Sequence, residues 1–287
     1  MFVSPREYFR HKDIRPRKRF GQHFLSEPST AERIVESAGL DLADVAVEVG
    51  PGLGALTGFL LQRVSRLHLV ELDRDLAAYL QAGVSEAGCL TRVHAMDILR
   101  FDFSGLSIRE GRRLVVLGNL PYNISSPLGF RLLESFSAVK RGVFMVQKEV
   151  GERWAAKPGG KDYGVLSVLF GIYGRVTPLF TVGPAQFYPP PRVESLVLRL
   201  DFHEVPPAGA PPFPFTRGLV SAAFQQRRKR LRNSLKGSGW REGRDPEDAF
   251  LAAGIDPGRR PETLSAEEFL GLSKELFRRR SRDLNPG

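Results

Sequence analysis

Asn119-Leu120-Pro121-Tyr122 places two amide-type oxygens and an aromatic ring within four residues. A residue ahead of proline is pushed into an extended conformation, so the Leu120 carbonyl escapes helical hydrogen bonding and can turn towards a ligand. The Asn119 side chain supplies a second acceptor oxygen, and Tyr122 a flat ring with a polar tip. Two acceptors beside an aromatic plate can hold the exocyclic amino group of a nucleobase while the ring stacks on its face. For adenine this has a chemical consequence, because the N6 lone pair is delocalised into the purine. Accepting both N–H bonds helps the nitrogen pyramidalise and aim that pair at an electrophile. The same residues equally fit a strand-ending turn in which Pro121 stops the chain, Asn119 caps and Tyr122 packs.

The surrounding elements bear on this choice. The apolar run Leu114-Val115-Val116-Leu117 reads as a buried strand, which puts the motif at its carboxyl end, where open α/β sheets keep their ligand crevice. Upstream, Val45–Val49 reads as a strand that runs into Gly50-Pro51-Gly52-Leu53-Gly54, with a helix expected over Ala55–Val64. Strand, glycine turn and helix form a nucleotide-binding unit. The spacing also fits a dinucleotide fingerprint with Ala55 at its last small position, so the glycines alone do not choose the ligand. The next strand, Leu67–Val70, ends at Glu71, 21 residues beyond Gly50 and placed to accept hydrogen bonds from ribose hydroxyls; Asp73 is a second candidate. A strand around Arg92–Ala95 ends at Asp97, whose carboxylate can receive an adenine amino group. Further strands at 142–147, 176–182 and 195–200 bring the expected total to seven.

Ser29-Thr30-Ala31-Glu32 has a capping-box pattern ahead of a helix ending near Gly39, and Tyr163–Tyr173 reads as a core helix. Phe187-Tyr188-Pro189-Pro190-Pro191-Arg192-Val193 is expected to be an irregular, rigidly projecting loop, with Phe187 available as the second face of a base sandwich. The stretch 204–214, rich in proline, reads as a linker. Beyond it, Phe224, Leu231 and Leu235 recur at intervals of seven and four with Arg227, Arg228 and Lys229 between them, which predicts a basic helix. Ser265-Ala266-Glu267-Glu268 is another capping box. The expected organisation is a basic arm at 1–20, an α/β domain at 21–203, the linker, and a small all-helical domain at 215–287.

The 287 residues carry a net charge of +10, unevenly spread. Residues 1–20 hold seven basic and two acidic side chains, and residues 204–287 sixteen and eleven, while the middle is neutral with nineteen of each. A neutral body with two basic ends suits a polyanion-binding protein. Cys89 is the single cysteine, which excludes an internal disulfide and any multi-cysteine metal site. The histidines at 11, 23, 68, 94 and 203 lack metal-ligand spacing, and no metal is expected. No apolar run approaches the roughly 20 residues of a membrane helix. The basic amino terminus lacks the apolar segment of a secretory signal; an organellar transit peptide stays open, with Glu7 and Asp13 against it, and a reduced cytoplasmic setting is the default expectation.

Taken in order, Phe20-Gly21-Gln22-His23-Phe24-Leu25, Glu48–Gly54, Glu71-Leu72-Asp73, Asn119–Ser125, Gln147–Val150, Phe187–Ser195 and Ala223–Lys229 resemble the small-subunit ribosomal RNA adenine dimethyltransferases, the KsgA-type enzymes. The resemblance implies a Rossmann-like, S-adenosylmethionine-dependent methyltransferase domain, built on a mostly parallel seven-stranded sheet, with a small helical domain. It implies cofactor contacts from His23, Leu25, Gly50, Glu71, Asp97 and Asn119, catalytic roles for Asn119, Leu120, Tyr122 and Phe187, and RNA contacts from Arg227, Arg228 and Lys229. Relatives often carry asparagine at position 23, so the backbone contact of Leu25 is the firmer expectation there. The implied reaction is N6,N6-dimethylation of two adjacent adenines near the 3′ end of small-subunit rRNA, by a monomer acting on the 30S-type subunit or its precursor. Two alternatives share the fold: a resistance-type methyltransferase of large-subunit rRNA, and a non-catalytic RNA-binding assembly or transcription factor.

Overall fold

A computed structural model describes residues 4–12, 22–84, 88–226, 229–237 and 247–284. Its strands are β1 (Phe24–Leu25), β2 (Val45–Val49), β3 (Arg66–Glu71), β4 (Leu90–Ala95), β5 (Leu114–Asn119), β6 (Val139–Gln147), β7 (Gly174–Val182), β8 (Phe187–Tyr188) and β9 (Ser195–Phe202). Its helices are α1 (Pro5–Lys12), α2 (Pro28–Ser37), α3 (Thr57–Leu60), α4 (Arg74–Gly83), α5 (Phe103–Glu110), α6 (Ser125–Glu134), α7 (Lys148–Trp154), α8 (Val165–Tyr173), α9 (Phe213–Phe224), α10 (Leu231–Gly237), α11 (Glu247–Ala252) and α12 (Ala266–Leu284). The chain divides into two compact units, Met1–Glu152 with Val176–Glu204, and Arg153–Arg175 with Val205–Gly287. No described helix is long and apolar enough to cross a membrane.

The first unit is built on a seven-stranded sheet of order β4-β3-β2-β5-β6-β9-β7. The β4 to β6 half is parallel, and β9 runs antiparallel to β6. All five residues of β2 are buried, as expected for a parallel strand covered on both faces. The core around it joins Ala46, Leu69, Val115 and Met145 of the sheet to Ile34 of α2 and Leu80 of α4. The sheet fulfils the α/β, Rossmann-like expectation.

Several local expectations are corrected. Instead of starting at a Ser29 cap, α2 starts at Pro28, with Glu27 as the cap accepting from the Ser29 N–H, because proline at the first helical position presets the helical φ. Regular α-helix between 55 and 64 shrinks to the single turn of α3, flanked by turns whose hydrogen bonds alternate between three- and four-residue spacing. Burial of Leu56, Leu60 and Val64 sets that backbone path over helix propensity. The arm at 1–20 contains α1, whose Tyr8 and Phe9 are buried against Phe24, Leu53 and Leu76.

The second unit is helical. Phe224 of α9 stacks on Phe269 of α12 at 5.9 Å, and Trp154 meets Phe170 of α8 at 5.1 Å. Segment 153–175 clusters here, although the sequence boundaries put it inside the 21–203 domain. The Ser265–Glu268 capping box forms as expected, with the Ser265 N–H donating to Glu268 at 2.7 Å and the Glu268 N–H to Ser265 Oγ at 3.2 Å. The basic helix through 224–235 does not form as one piece: α9 ends at Phe224 and α10 begins at Leu231. Lys229 and Arg230 lie between them, and the Leu231 N–H donates to the Arg259 carbonyl.

One position in the sheet is sterically decisive. A Cβ on Gly118 would stand 2.6 Å from the Val49 carbonyl oxygen and 3.0 Å from Val49 Cβ, in the pair that joins β5 to β2. Gly118→Ala is expected to force these strands apart and lower stability by about 1–3 kcal/mol. Thermal unfolding measures the loss, and an unchanged midpoint would show that the β2–β5 approach has slack.

Candidate active site

Strand register places the site. Val49 pairs with both Val70 and Gly118, and Glu71 pairs with Ala95. Gly50, Glu71, Asp97 and Asn119 therefore leave four neighbouring strands at the same edge. The order reverses direction at β2, flanked by β3 and β5, which is where open α/β sheets bind ligands. An open cavity lies there. Its wall includes every expected cofactor residue, His23, Leu25, Gly50, Glu71, Asp97 and Asn119, together with Leu120 and Tyr122.

Phe187 is not in that wall. It lies in β8, paired with Leu25, and is 3% exposed within the core cluster, so the expected projecting loop starts later and the ring does not form an open face. Antiparallel pairing with β1 draws this stretch into the fold. Arg227 and Arg228 lie outside the described residues, and Lys229 is an exposed residue of the second unit.

The glycine turn has the backbone shape its sequence promises. Gly50 and Gly52 have φ of 60° and 59°, the left-handed region. This turn directs the Gly52 N–H to Glu71 Oε2 at 3.0 Å, while the Asp73 N–H donates to Oε1 at 2.9 Å. Glu71 is thereby oriented at the cavity wall with lone pairs remaining for ligand hydroxyls. Burial raises its pKa, and these two N–H groups pull the other way. Asp97 spends Oδ1 on the Leu99 N–H at 2.9 Å, capping a short 3-10 turn.

Around Asn119 three segments meet. Its Nδ2 donates to the His23 carbonyl at 2.9 Å, which orients Oδ1 as the acceptor. The His23 ring donates through Nδ1 to the Pro189 carbonyl at 2.7 Å and stacks on Tyr122 with centroids 5.5 Å apart and planes 28° apart. The Tyr122 hydroxyl is buried, which raises its pKa against the opposing effect of Ser195. His23 is thus joined to Pro189, Asn119 and Tyr122 at once.

Glu48 escaped the sequence reading as a site residue. Its signal was available, a lone acid within the otherwise apolar strand Val45–Val49. It lines the cavity, is 1% exposed, and accepts from Thr57 Oγ1 at 2.6 Å. Burial pushes its pKa from 4.5 up to about 8, with Thr57 opposing and Glu71 adding to the rise. The folded, cofactor-free protein therefore binds more protons than the unfolded chain between about pH 4.5 and about 8. Stability falls as pH rises through that window. Glu48→Gln is expected to flatten this slope, leaving the part due to Glu71; thermal melts across the window check it, and a slope identical to that of the parent would contradict the assignment.

The family profile described as Ribosomal RNA adenine dimethylase matches residues 14–277. The Ribosomal RNA small subunit methyltransferase A of Nitrosococcus oceani is 49% identical over 262 residues, covering 91% of this chain and 96% of that one. Its counterpart in Pseudomonas putida is 43% identical, with 94% and 97% covered. Among solved structures, a dimethyladenosine transferase from Plasmodium falciparum has the same fold, with a TM-score of 0.73 at 24% identity, covering 87% of this chain and 96% of that one. The chain belongs to the ribosomal RNA adenine dimethylase family, whose members are S-adenosylmethionine-dependent methyltransferases.

Proposed function

We propose that the protein transfers methyl groups to N6 of two adjacent adenines near the 3′ end of small-subunit rRNA, twice per base, acting as a cytoplasmic monomer on the 30S-type subunit or its precursor. The observation that carries this reading is the hydrogen bond from Asn119 Nδ2 to the His23 carbonyl. It leaves Asn119 Oδ1 as an acceptor beside Leu120 and Tyr122, in the cavity that also holds Glu71 and Asp97.

The residues present fit S-adenosylmethionine. Glu71 is oriented for a ribose diol, Asp97 for an adenine amino group, and the glycine turn brings backbone close to the ligand, while Leu72, Met96 and Ile98 give the cavity an apolar side. The bound cofactor supplies an electrophilic methyl group on a sulfonium. The chain's own residues do the rest. Target adenine leaves its stack, and stacking on the Tyr122 ring stabilises the flipped base by about 1–3 kcal/mol. Asn119 Oδ1 and the Leu120 carbonyl accept the two N6–H bonds and point the nitrogen lone pair into the cavity, so that alignment provides much of the rate. No strong base is needed, because the methylated nitrogen is acidic enough to lose its proton to water. A second transfer on the same base requires room for the first methyl group. The basic carboxyl-terminal region, with Arg227, Arg228 and Lys229, contacts the rRNA backbone.

Incubation of the protein with unmethylated small subunits and labelled S-adenosylmethionine is expected to place label on two adjacent adenines; mass mapping that finds none in the rRNA would overturn the reading. Asn119→Ala should lower turnover by about 10²-fold or more, the order seen when one preorganised hydrogen-bonding group is removed, with cofactor affinity largely kept. Wild-type turnover in that variant would remove Asn119 from the chemistry. Charge reversal at Arg227, Arg228 and Lys229 should weaken subunit binding and flatten its dependence on salt. Unaltered binding would assign those three residues to a solvated surface.

A further inference from the structure

Glu48 is a carboxyl group that the methyl-transfer scheme leaves unused. Its register partners are Leu69 on β3 and Leu117 on β5, both apolar. From α3 it receives one neutral donor, the Thr57 hydroxyl. The charged group that acts on it is a second carboxylate, Glu71, and no cation offsets either among the groups that shift it. A buried carboxylate with a single hydroxyl donor and a like charge nearby is strongly disfavoured, so the neutral acid is the form that the fold accepts. Glu71 differs in kind, because two backbone N–H groups face its oxygens.

Glu48 is nonetheless one of the residues lining the cavity proposed to take the cofactor. S-adenosylmethionine carries a sulfonium and an ammonium against one carboxylate. A positive charge brought next to a buried neutral acid favours its ionised form, and inside a low-dielectric wall that attraction is little screened. We propose that Glu48 holds a proton in the cofactor-free protein and releases it to solvent when S-adenosylmethionine binds, becoming a counter-ion within the cofactor cavity. The O–H bond of the carboxyl group breaks, its electron pair stays on Glu48, and the proton leaves to buffer. Thr57 keeps donating to the carboxylate throughout.

Proton release makes cofactor affinity pH-dependent. Below the pKa of the cofactor-free form, which is about 8, affinity rises with pH towards a limiting slope of about tenfold per pH unit. This inference rests on S-adenosylmethionine as the ligand, and the two can fail separately. Absence of any binding would strike the cofactor reading, whereas binding without proton release strikes Glu48.

Calorimetric titration of the full chain with S-adenosylmethionine near neutral pH, in two buffers of different ionisation enthalpy, counts the protons released. The expected result is a release approaching one proton in the parent and a loss of that release in Glu48→Gln, which keeps an acceptor for Thr57 but cannot ionise. Affinity of the variant should then vary less steeply with pH than that of the parent between about pH 6 and 8. Equal release in both proteins, or none in the parent, overturns the proposal. Infrared difference spectra of the unmodified protein give an independent reading. The carbonyl band of a protonated carboxylic acid should disappear on cofactor addition, and a band that persists would also overturn it.

Discussion

Parallel pairing of β2 with β3 and β5 is the constraint on which the site depends. In a parallel ladder the carboxyl ends of neighbouring strands fall on one edge, and here the pairs Val49–Val70 and Val49–Gly118 put Gly50, Glu71 and Asn119 beside one another without further design. Residues 21 to 69 positions apart in sequence then converge through backbone geometry alone. The close approach at Gly118 is part of this, since a methyl group there would meet the Val49 backbone and displace the strand that carries Asn119.

Residues at strand ends were legible in the sequence for the same reason. A run such as Leu114–Leu117 fixes where a strand stops, and once the sheet is parallel the next polar residue must face the crevice. Features that depend on distant partners were not legible. Phe187 reads as a loop residue beside three prolines, yet pairing with Leu25 turns it into core. The basic amino terminus reads as an arm, but Tyr8 and Phe9 find an apolar patch made by Phe24, Leu53 and Leu76, residues from three separate segments. Residues 153–175 join the helical unit because Tyr163 meets Phe224 and Tyr173 meets Phe213 there, and nothing local in composition marks that excursion.

His23 shows how a residue can match a motif and act by another route. The family resemblance implies a cofactor contact for it. In the fold its carbonyl receives Asn119, its Nδ1–H reaches Pro189, and its ring lies against Tyr122. One residue thus ties the amino-terminal segment to the Asn119–Tyr122 motif and to the proline loop. Its presence in the cavity wall and its structural bonds are compatible, because the carbonyl, ring and Nδ1 use separate faces. The strained element of the design is electrostatic and lies deeper, at the two acids.

The glycine turn by itself fits either a dinucleotide or a cofactor without phosphates, and the surrounding charges separate the two. A pyrophosphate is held by the N–H groups at the start of a helix, helped by its dipole. Here the helix after the turn is the single turn α3, whose start is spaced from the glycines by further turns. The Gly52 N–H, which such a ligand would need, is already committed to Glu71. Glu48 and Glu71 stand together in the wall, and Asp97 lies on the same cavity. A dianionic bridge placed among these groups would be repelled and would drive Glu48 further towards its neutral form. A cationic ligand has the opposite effect, because it relieves the cost of burying two carboxyl groups side by side. Burial first, and the Glu71 charge after it, hold Glu48 towards its neutral form, and positive charge in the cavity opposes both.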